Sequence, residues 1–261
     1  MARLAAIEKI LYYPTQDRVV ENLLRTIHPK HTSKGILFDP CCGEGTAAAA
    51  LATAWGMESV GIEIDTGRFE TAKTKMNHCF LGSIHQVHGK LKASVLFLNP
   101  PYDTGEKGRQ EIEFLRIAST FLAPEGLLIY IVPKKILEEW PLHSILRKHY
   151  NNITVVKYPE AEESQFNQCV VLAKKDRKNE FKRDDSLYSL DKYWWKDFDK
   201  LDYRVSPPEG ALNDFKLMSW DPEVERPSVE RRTGAFATDA WELLTQRSEE
   251  RRVGKECLRL C

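Results

Sequence analysis

No stretch of this chain approaches the ~18 consecutive apolar residues that a membrane-spanning helix needs. Its opening, MARLAAIEKILYYP, carries Glu8 and Lys9 where a secretory signal would need an unbroken apolar core. No membrane partner is therefore expected, and the cytoplasm is the default compartment. Charge of one sign is also missing: 38 Lys and Arg balance 38 Asp and Glu, so no global basic field advertises a nucleic-acid partner, although a local basic patch stays open. The cysteines (Cys41, Cys42, Cys79, Cys169, Cys257 and Cys261) form no C-x-x-C pair and no His/Cys cluster at zinc spacing. That argues against a metal site and a disulfide framework, and for reduced thiols. Internal repeats are absent. What the chain has is length: 261 residues, 42% hydrophobic, enough for one substantial core and at most a small appendage.

From Ser33 onward the pattern alternates between strand and helix. GILFDP (35–40) is a short apolar strand, GTAAAALATAWG (45–56) a strong helix former, SVGIEID (59–65) a second strand and TGRFETAKTKMNH (66–78) a second helix. ASVLFLNPPY (93–102) is a later strand stopped by two prolines. RQEIEFLRIASTFLAPEG (109–126) predicts an amphipathic helix, LLIYIVP a strand and KKILEEWPLHSILRKHY a further helix. Such alternation implies parallel pairing. NITVVKYP and NQCVVLAKK then suit an antiparallel pair at a sheet edge.

The stretch FDPCCGEGT (38–46) sits where the first strand hands over to the first helix. Gly43 and Gly45 permit backbone conformations and close approaches that a Cβ would forbid, so a ligand can lie on the main chain at the helix N-terminus. Glu63 falls twenty residues after Gly43, at the end of the next strand, where nucleotide-binding folds put a carboxylate that accepts from ribose hydroxyls. A dinucleotide is disfavoured, because Gly43-Glu44-Gly45 is followed by Thr46-Ala47-Ala48 and the third glycine of that fingerprint is missing. Asn99-Pro100-Pro101-Tyr102 ends a later strand of the same sheet. Its prolines remove donors and stiffen the turn, leaving the Asn99 side-chain oxygen and the Pro100 carbonyl as outward acceptors beside an aromatic ring, a set that suits a flat amino group.

FDPCCGEGT, GIEID and LFLNPPYD, in this order and spacing, resemble the class I S-adenosylmethionine-dependent methyltransferases, and among them the amino-methyltransferases with an (Asp/Asn/Ser)-Pro-Pro-(Tyr/Phe) signature. The resemblance covers roughly residues 10–175 and is greatest to the adenine-specific DNA methyltransferases, in which a Thr-Pro-containing motif precedes the cofactor loop. YYPTQDRVV is similar to that motif with Pro and Thr exchanged. The resemblance implies an α/β fold: a Rossmann-like, doubly wound, mostly parallel seven-stranded sheet with an antiparallel edge strand. It implies S-adenosylmethionine as cofactor, its methionine part held by Asp39, Gly43 and Gly45 and its ribose by Glu63, with further cofactor contacts from Tyr13, Thr15, Pro40, Cys41, Thr46, Ile64 and Ser83. Ser83 stands where the family usually has an Asp on the cofactor's adenine. Asn99 and Pro100 would hold the target amine, with Pro101 completing the turn and Tyr102 stacking on the target ring. Phe166 in QFNQCVV matches the aromatic on the other face of an extruded base; a core Phe starting an edge strand is the alternative.

The implied partner is nucleic acid, DNA ahead of RNA, and the resemblance admits a separate specificity or restriction subunit. Oligomeric state stays open. Enzymes acting on an rRNA guanine or a protein glutamine share the Asn-Pro-Pro-Tyr chemistry, and a catalytically idle cofactor-binding subunit is a third reading, against which the intact motif at 99–102 speaks. The organisation expected is an N-terminal helical extension contributing to the cofactor site (1–32), the catalytic domain (33–175) and a loop-rich region, a truncated substrate-recognition part or a small appendage (176–246). The last segment, 247–261, is expected to be non-native: RSEERRVGKEC (247–257) resembles the in-frame translation of a sequencing-adapter oligonucleotide.

Overall fold

The computed structural model describes residues 13–29, 35–105, 108–158, 167–177 and 195–217. Phe166 and the adapter-like tail lie outside them.

β2 (Ile36–Asp39), which follows the short β1 (Ile27–Pro29), is buried at all four residues, as a strand covered on both faces must be. It pairs in parallel with β3 (Glu58–Glu63) on one side and β5 (Val87–Leu98) on the other. β4 (His78–Leu81) extends the sheet beyond β3, and β8 (Leu122–Pro133) lies parallel to β5. The short β6 (Thr104–Gly105) and β7 (Gly108–Arg109) form a separate antiparallel pair. β10 (Gln168–Lys175) runs antiparallel between β8 and β9 (Tyr150–Lys157). The order β9-β10-β8-β5-β2-β3-β4 is the expected doubly wound, mostly parallel sheet, with its reversed strand toward one end.

Helices cover both faces. α1 (Asp17–Thr26) buries Val19, Val20 and Leu23. α2 (Thr46–Ala54) is rich in alanine, the best helix former, and α3 (Thr66–Lys75) is capped by Asp65, whose carboxylate accepts from the Arg68 backbone N–H at 3.0 Å. These three share one core with Leu37, Phe97 and Ile129. α4 (Gln110–Ala118) and α5 (Trp140–His149) close the other face over Phe38, Leu96 and Tyr130. The helix predicted over 134–150 divides into a 3₁₀ turn (Lys134–Glu138) and α5, which has Pro141 in its first turn. Proline has no N–H and its ring collides with the carbonyl four residues back, so one continuous helix is forbidden there. No helix among the described residues is long and apolar enough to cross a membrane.

The segment read as loop-rich differs from that expectation over its described part. β11 (Trp195–Lys196) adds to β9, β12 (Tyr203–Val205) pairs with β1, and β13 (Ala211–Leu217) pairs antiparallel with the first half of β5, from Ala211 opposite Lys92 to Leu217 opposite Val87. Among the described residues the sheet thus has nine strands, where seven were expected. Phe215 explains the attachment: its ring is buried against those of Phe38, Phe80 and Phe121. Just before it, a Cβ on Gly210 would lie 2.5 Å from the Ile36 side chain, so only glycine lets the returning chain cross the start of β2.

Candidate active site

FDPCCGEGT, GIEID and LFLNPPYD leave the sheet at the C-terminal ends of its parallel strands. β2 ends on Asp39, β3 on Glu63, and β5 at Leu98, one residue before Asn99. The extended residues ahead of α1 bring Tyr13 and Thr15 to the same edge. Tyr13, Thr15, Asp39, Pro40, Cys41 and Thr46 line one cleft together with Glu63, Ile64, Ser83, Asn99, Pro100 and Pro101, around a cavity of about 190 Å³. Gly43 and Gly45 shape the turn, and Tyr102 sits directly behind Asn99.

The turn is shaped by two glycines in the left-handed region, Gly43 at φ 58° and Gly45 at φ 73°. A Cβ on Gly45 would also stand 2.9 Å from Met76 Cγ, so the residue is fixed by both backbone and space. Asp39 is buried, with one hydrogen bond from the Cys41 backbone N–H at 3.1 Å. Burial, with a smaller contribution from the nearby Glu63 charge, raises its pKa to about 7. Burial likewise pushes up the Cys41 thiol, which donates to the Asn99 carbonyl at 3.4 Å.

Glu63 has a different environment. The Asp65 N–H and the Arg68 Nε and Nη2 all donate to its Oε1, at 2.8, 3.2 and 2.8 Å. The carboxylate is thereby oriented, and Oε2 receives none of these bonds. Ser83 lines the cleft, but its hydroxyl accepts from the His85 N–H and caps the 3₁₀ turn Ile84–Gln86. Thr46 Oγ1 accepts from Lys75 Nζ at 2.7 Å.

Asn99 is held from both sides. Its Nδ2 donates to the Tyr13 carbonyl at 2.9 Å and to Thr15 Oγ1 at 3.1 Å, while its Oδ1 accepts from the Tyr102 hydroxyl at 2.7 Å. That hydroxyl in turn accepts from Gln168 Nε2 at 2.5 Å. The Tyr102 ring lies 5.6 Å from that of Tyr13 with planes 19° apart, so Tyr13 covers one of its faces.

A family comparison decides the class. Residues 1–197 match the profile of an uncharacterised methyltransferase family (DUF6094). The chain belongs to that family. No curated protein sequence matches significantly. Among solved structures, this methyltransferase is similar to a Listeria monocytogenes protein described as a class I S-adenosylmethionine-dependent methyltransferase (TM-score 0.54, 14% identity, covering 74% of this chain and 70% of that one). It is also similar to the methyltransferase subunit of a type I restriction-modification system from Streptococcus thermophilus (0.52, 14%, 63% and 45%) and to the M protein of the type I restriction enzyme EcoKI (0.50, 15%, 63% and 44%). At these identities the likeness is one of fold, and the chain spans less than half the length of the two restriction-system proteins.

Two site residues escaped the sequence reading. Arg68 had a signal, a guanidinium in the first turn of the helix that follows Glu63. Gln168 had none, because it reaches Tyr102 from a strand 66 residues away.

Proposed function

We propose that this methyltransferase transfers a methyl group from S-adenosylmethionine to the exocyclic amino nitrogen of adenine in DNA. The observation that carries the reading is the convergence of Asn99 and Pro100 with Asp39 and Glu63 on one cleft. The cleft's donors and acceptors fit the cofactor: a buried carboxyl at Asp39 for its ammonium, bare backbone at the glycine turn, and Glu63 Oε2 aligned for ribose hydroxyls. Bound there, S-adenosylmethionine supplies a sulfonium methyl that is already electrophilic.

The protein's own contribution is alignment and charge stabilisation. Asn99 Oδ1 has one lone pair committed to Tyr102 and a second for one N–H of the target amine; the Pro100 carbonyl takes the other N–H. As positive charge grows on the nitrogen, these two oxygens stabilise it, and the surplus proton leaves to water. The stacked rings of Tyr13 and Tyr102 form an aromatic step beside Asn99. An extruded base stacking there recovers about 1–3 kcal/mol of the stacking lost from the duplex. Phe166 is assigned the opposite face of that base by the family resemblance alone. The Streptococcus thermophilus protein is by name the methyltransferase subunit of a restriction-modification system, and by analogy a separate specificity subunit is the partner to look for.

The test is to incubate the protein with labelled cofactor and either DNA or RNA, then digest to nucleosides for mass spectrometry. N6-methyldeoxyadenosine is expected. Label confined to RNA guanine would replace the adenine reading.

A further inference from the structure

Cys42 and Cys79 belong to different elements, the glycine turn after β2 and the strand β4, yet their sulfurs stand 3.9 Å apart. The approach depends on Gly61. In β3 it pairs in register with Cys79, so both residues point to the same face of the sheet. A Cβ on Gly61 would lie 2.8 Å from Cys42 Sγ. The Cys42 thiol thus occupies the place where a β3 side chain would stand, and meets its neighbour in the next strand. Cys41, although adjacent in sequence, packs against the other core with its thiol on the Asn99 carbonyl, and Cys169 is fully buried in β10.

The two sulfurs differ in acidity. The hydrogen bond from the Cys42 thiol lowers the Cys79 pKa, while the same bond, together with burial, pushes that of Cys42 well up. Cys79 is therefore the sulfur that ionises first, and it is partly exposed. A thiolate within reach of oxidant, beside a second thiol that can resolve it, is the arrangement on which reversible thiol oxidation runs.

We infer that Cys42 and Cys79 form a reversible oxidation site, in which hydrogen peroxide joins the two sulfurs and the new bond ties the glycine turn to β4 and weakens cofactor binding. Cys79 Sγ attacks one peroxide oxygen and the O–O bond breaks; Cys79 becomes a sulfenic acid, and the other oxygen leaves as water with the proton that Cys79 gave up. Cys42 Sγ then attacks the Cys79 sulfur, the S–O bond breaks, and the departing hydroxyl takes the Cys42 proton as a second water. Two thiols lose two electrons and the peroxide gains them. Exchange with a thiol reductant reverses the bond.

The effect on the cofactor follows from where Cys42 sits. Bonded sulfurs are about 2.05 Å apart, so the pair has to close by about 2 Å. Cys42 lines the cleft and immediately precedes Gly43. Its N–H donates to the Ile62 carbonyl and its carbonyl accepts from the Gly45 N–H, both at 2.9 Å, so a pull on Cys42 is passed to the whole turn. Its thiol also faces the Gly43 carbonyl at 3.8 Å, a contact that is lost with the proton. The inference rests on the cofactor lying over that turn.

The test uses the whole protein, reduced and then exposed to hydrogen peroxide. The intact mass should fall by two hydrogens, and non-reducing digestion should yield a Cys42–Cys79 cross-linked peptide, with fragmentation assigning the bond to Cys42 and not Cys41. In calorimetry S-adenosylmethionine should bind the oxidised protein about tenfold or more weakly than the reduced one, as is usual for coupling between two sites, with recovery on adding dithiothreitol. The coupling is reciprocal: in a glutathione buffer, saturating cofactor should raise the midpoint potential of the pair by the same factor, about 30 mV for tenfold. Cys79→Ser should match the affinity of reduced wild type within about twofold and keep it after peroxide; Cys79→Ala serves where serine is not tolerated. Absence of the cross-link, equal affinity in the two redox forms, or an undiminished peroxide response in the Cys79 variant overturns the inference. Equal affinity leaves the cofactor site standing, whereas a reduced protein that does not bind S-adenosylmethionine removes that site and the switch with it.

Discussion

The C-terminal edge of the parallel sheet and the face that β13 covers are built on opposite principles. At the C-terminal ends of the strands lie two buried carboxylates, a left-handed glycine turn and an asparagine tied on both sides. On the covered face, Phe215 fills a nest of three aromatic rings and β13 pairs with the start of β5. The edge keeps polar groups away from water, which is unfavourable unless each is partnered. The face buries apolar area, which is favourable. The difference teaches that stability and chemistry are assigned to different parts of the sheet, so each should respond to mutation without the other.

The largest expected effect is on the covered face. Phe215→Ala should lower unfolding free energy by about 3–5 kcal/mol, measured by denaturant titration, while leaving the cofactor dissociation constant of the folded protein unchanged. A loss under about 1 kcal/mol, or a parallel loss of cofactor affinity, would break the separation. Asn99→Ala is its counterpart at the cleft edge: single-turnover methyl transfer should fall by about 10²–10³, in the range seen when one preorganised charge-stabilising group is removed, with cofactor retained in calorimetry. Next comes Glu63→Ala, for which the cofactor should bind about 10–100-fold more weakly, as expected for a lost hydrogen bond to a charged group. Equal affinity in that variant would remove the ribose assignment.

A further prediction sharpens the contrast between the two carboxylates. Because the folded Asp39 pKa is raised from 3.8 to about 7, the fold favours the neutral carboxyl. Its contribution to stability is full below about pH 4 and is lost as pH rises through about 7, at up to about 1.4 kcal/mol per pH unit. The cofactor-free protein should therefore lose stability over that window relative to Asp39→Asn, whose curve should be flatter. Binding of a cationic cofactor at pH 6 should release a proton, visible as a buffer-dependent enthalpy. A profile identical in both proteins would place the Asp39 pKa in the ordinary carboxylate range.

How much of this was legible in the sequence follows from the range of each interaction. Asp39, Gly43, Gly45 and Glu63 announce themselves because strand, turn and helix signals are local and the spacing between carboxylate and glycine turn is short. Asn99 to Tyr102 is legible because two prolines leave few backbone choices. The division of the helix predicted over 134–150 was available from Pro141 and went unused. β13 was hidden for a physical reason: its pairing with β5 bridges more than a hundred residues, and ALNDFKL has only one buried aromatic to mark it. Gln168 was hidden for another. A polar residue beginning an apolar strand reads as solvent-facing until the reversed direction of β10 turns it to the cleft.

The attachment of β13 also sets an order in time. Synthesis runs from the N-terminus, so the whole candidate site, Tyr13 to Gln168, emerges while the strand that completes the covered face of the sheet has not yet been made. Until residue 215 leaves the ribosome, the rings of Phe38, Phe80 and Phe121 lack the one that covers them, and the first half of β5 has an unpaired edge. A nascent chain in that state carries a finished cleft and an open, sticky face, the kind of surface on which chaperones act.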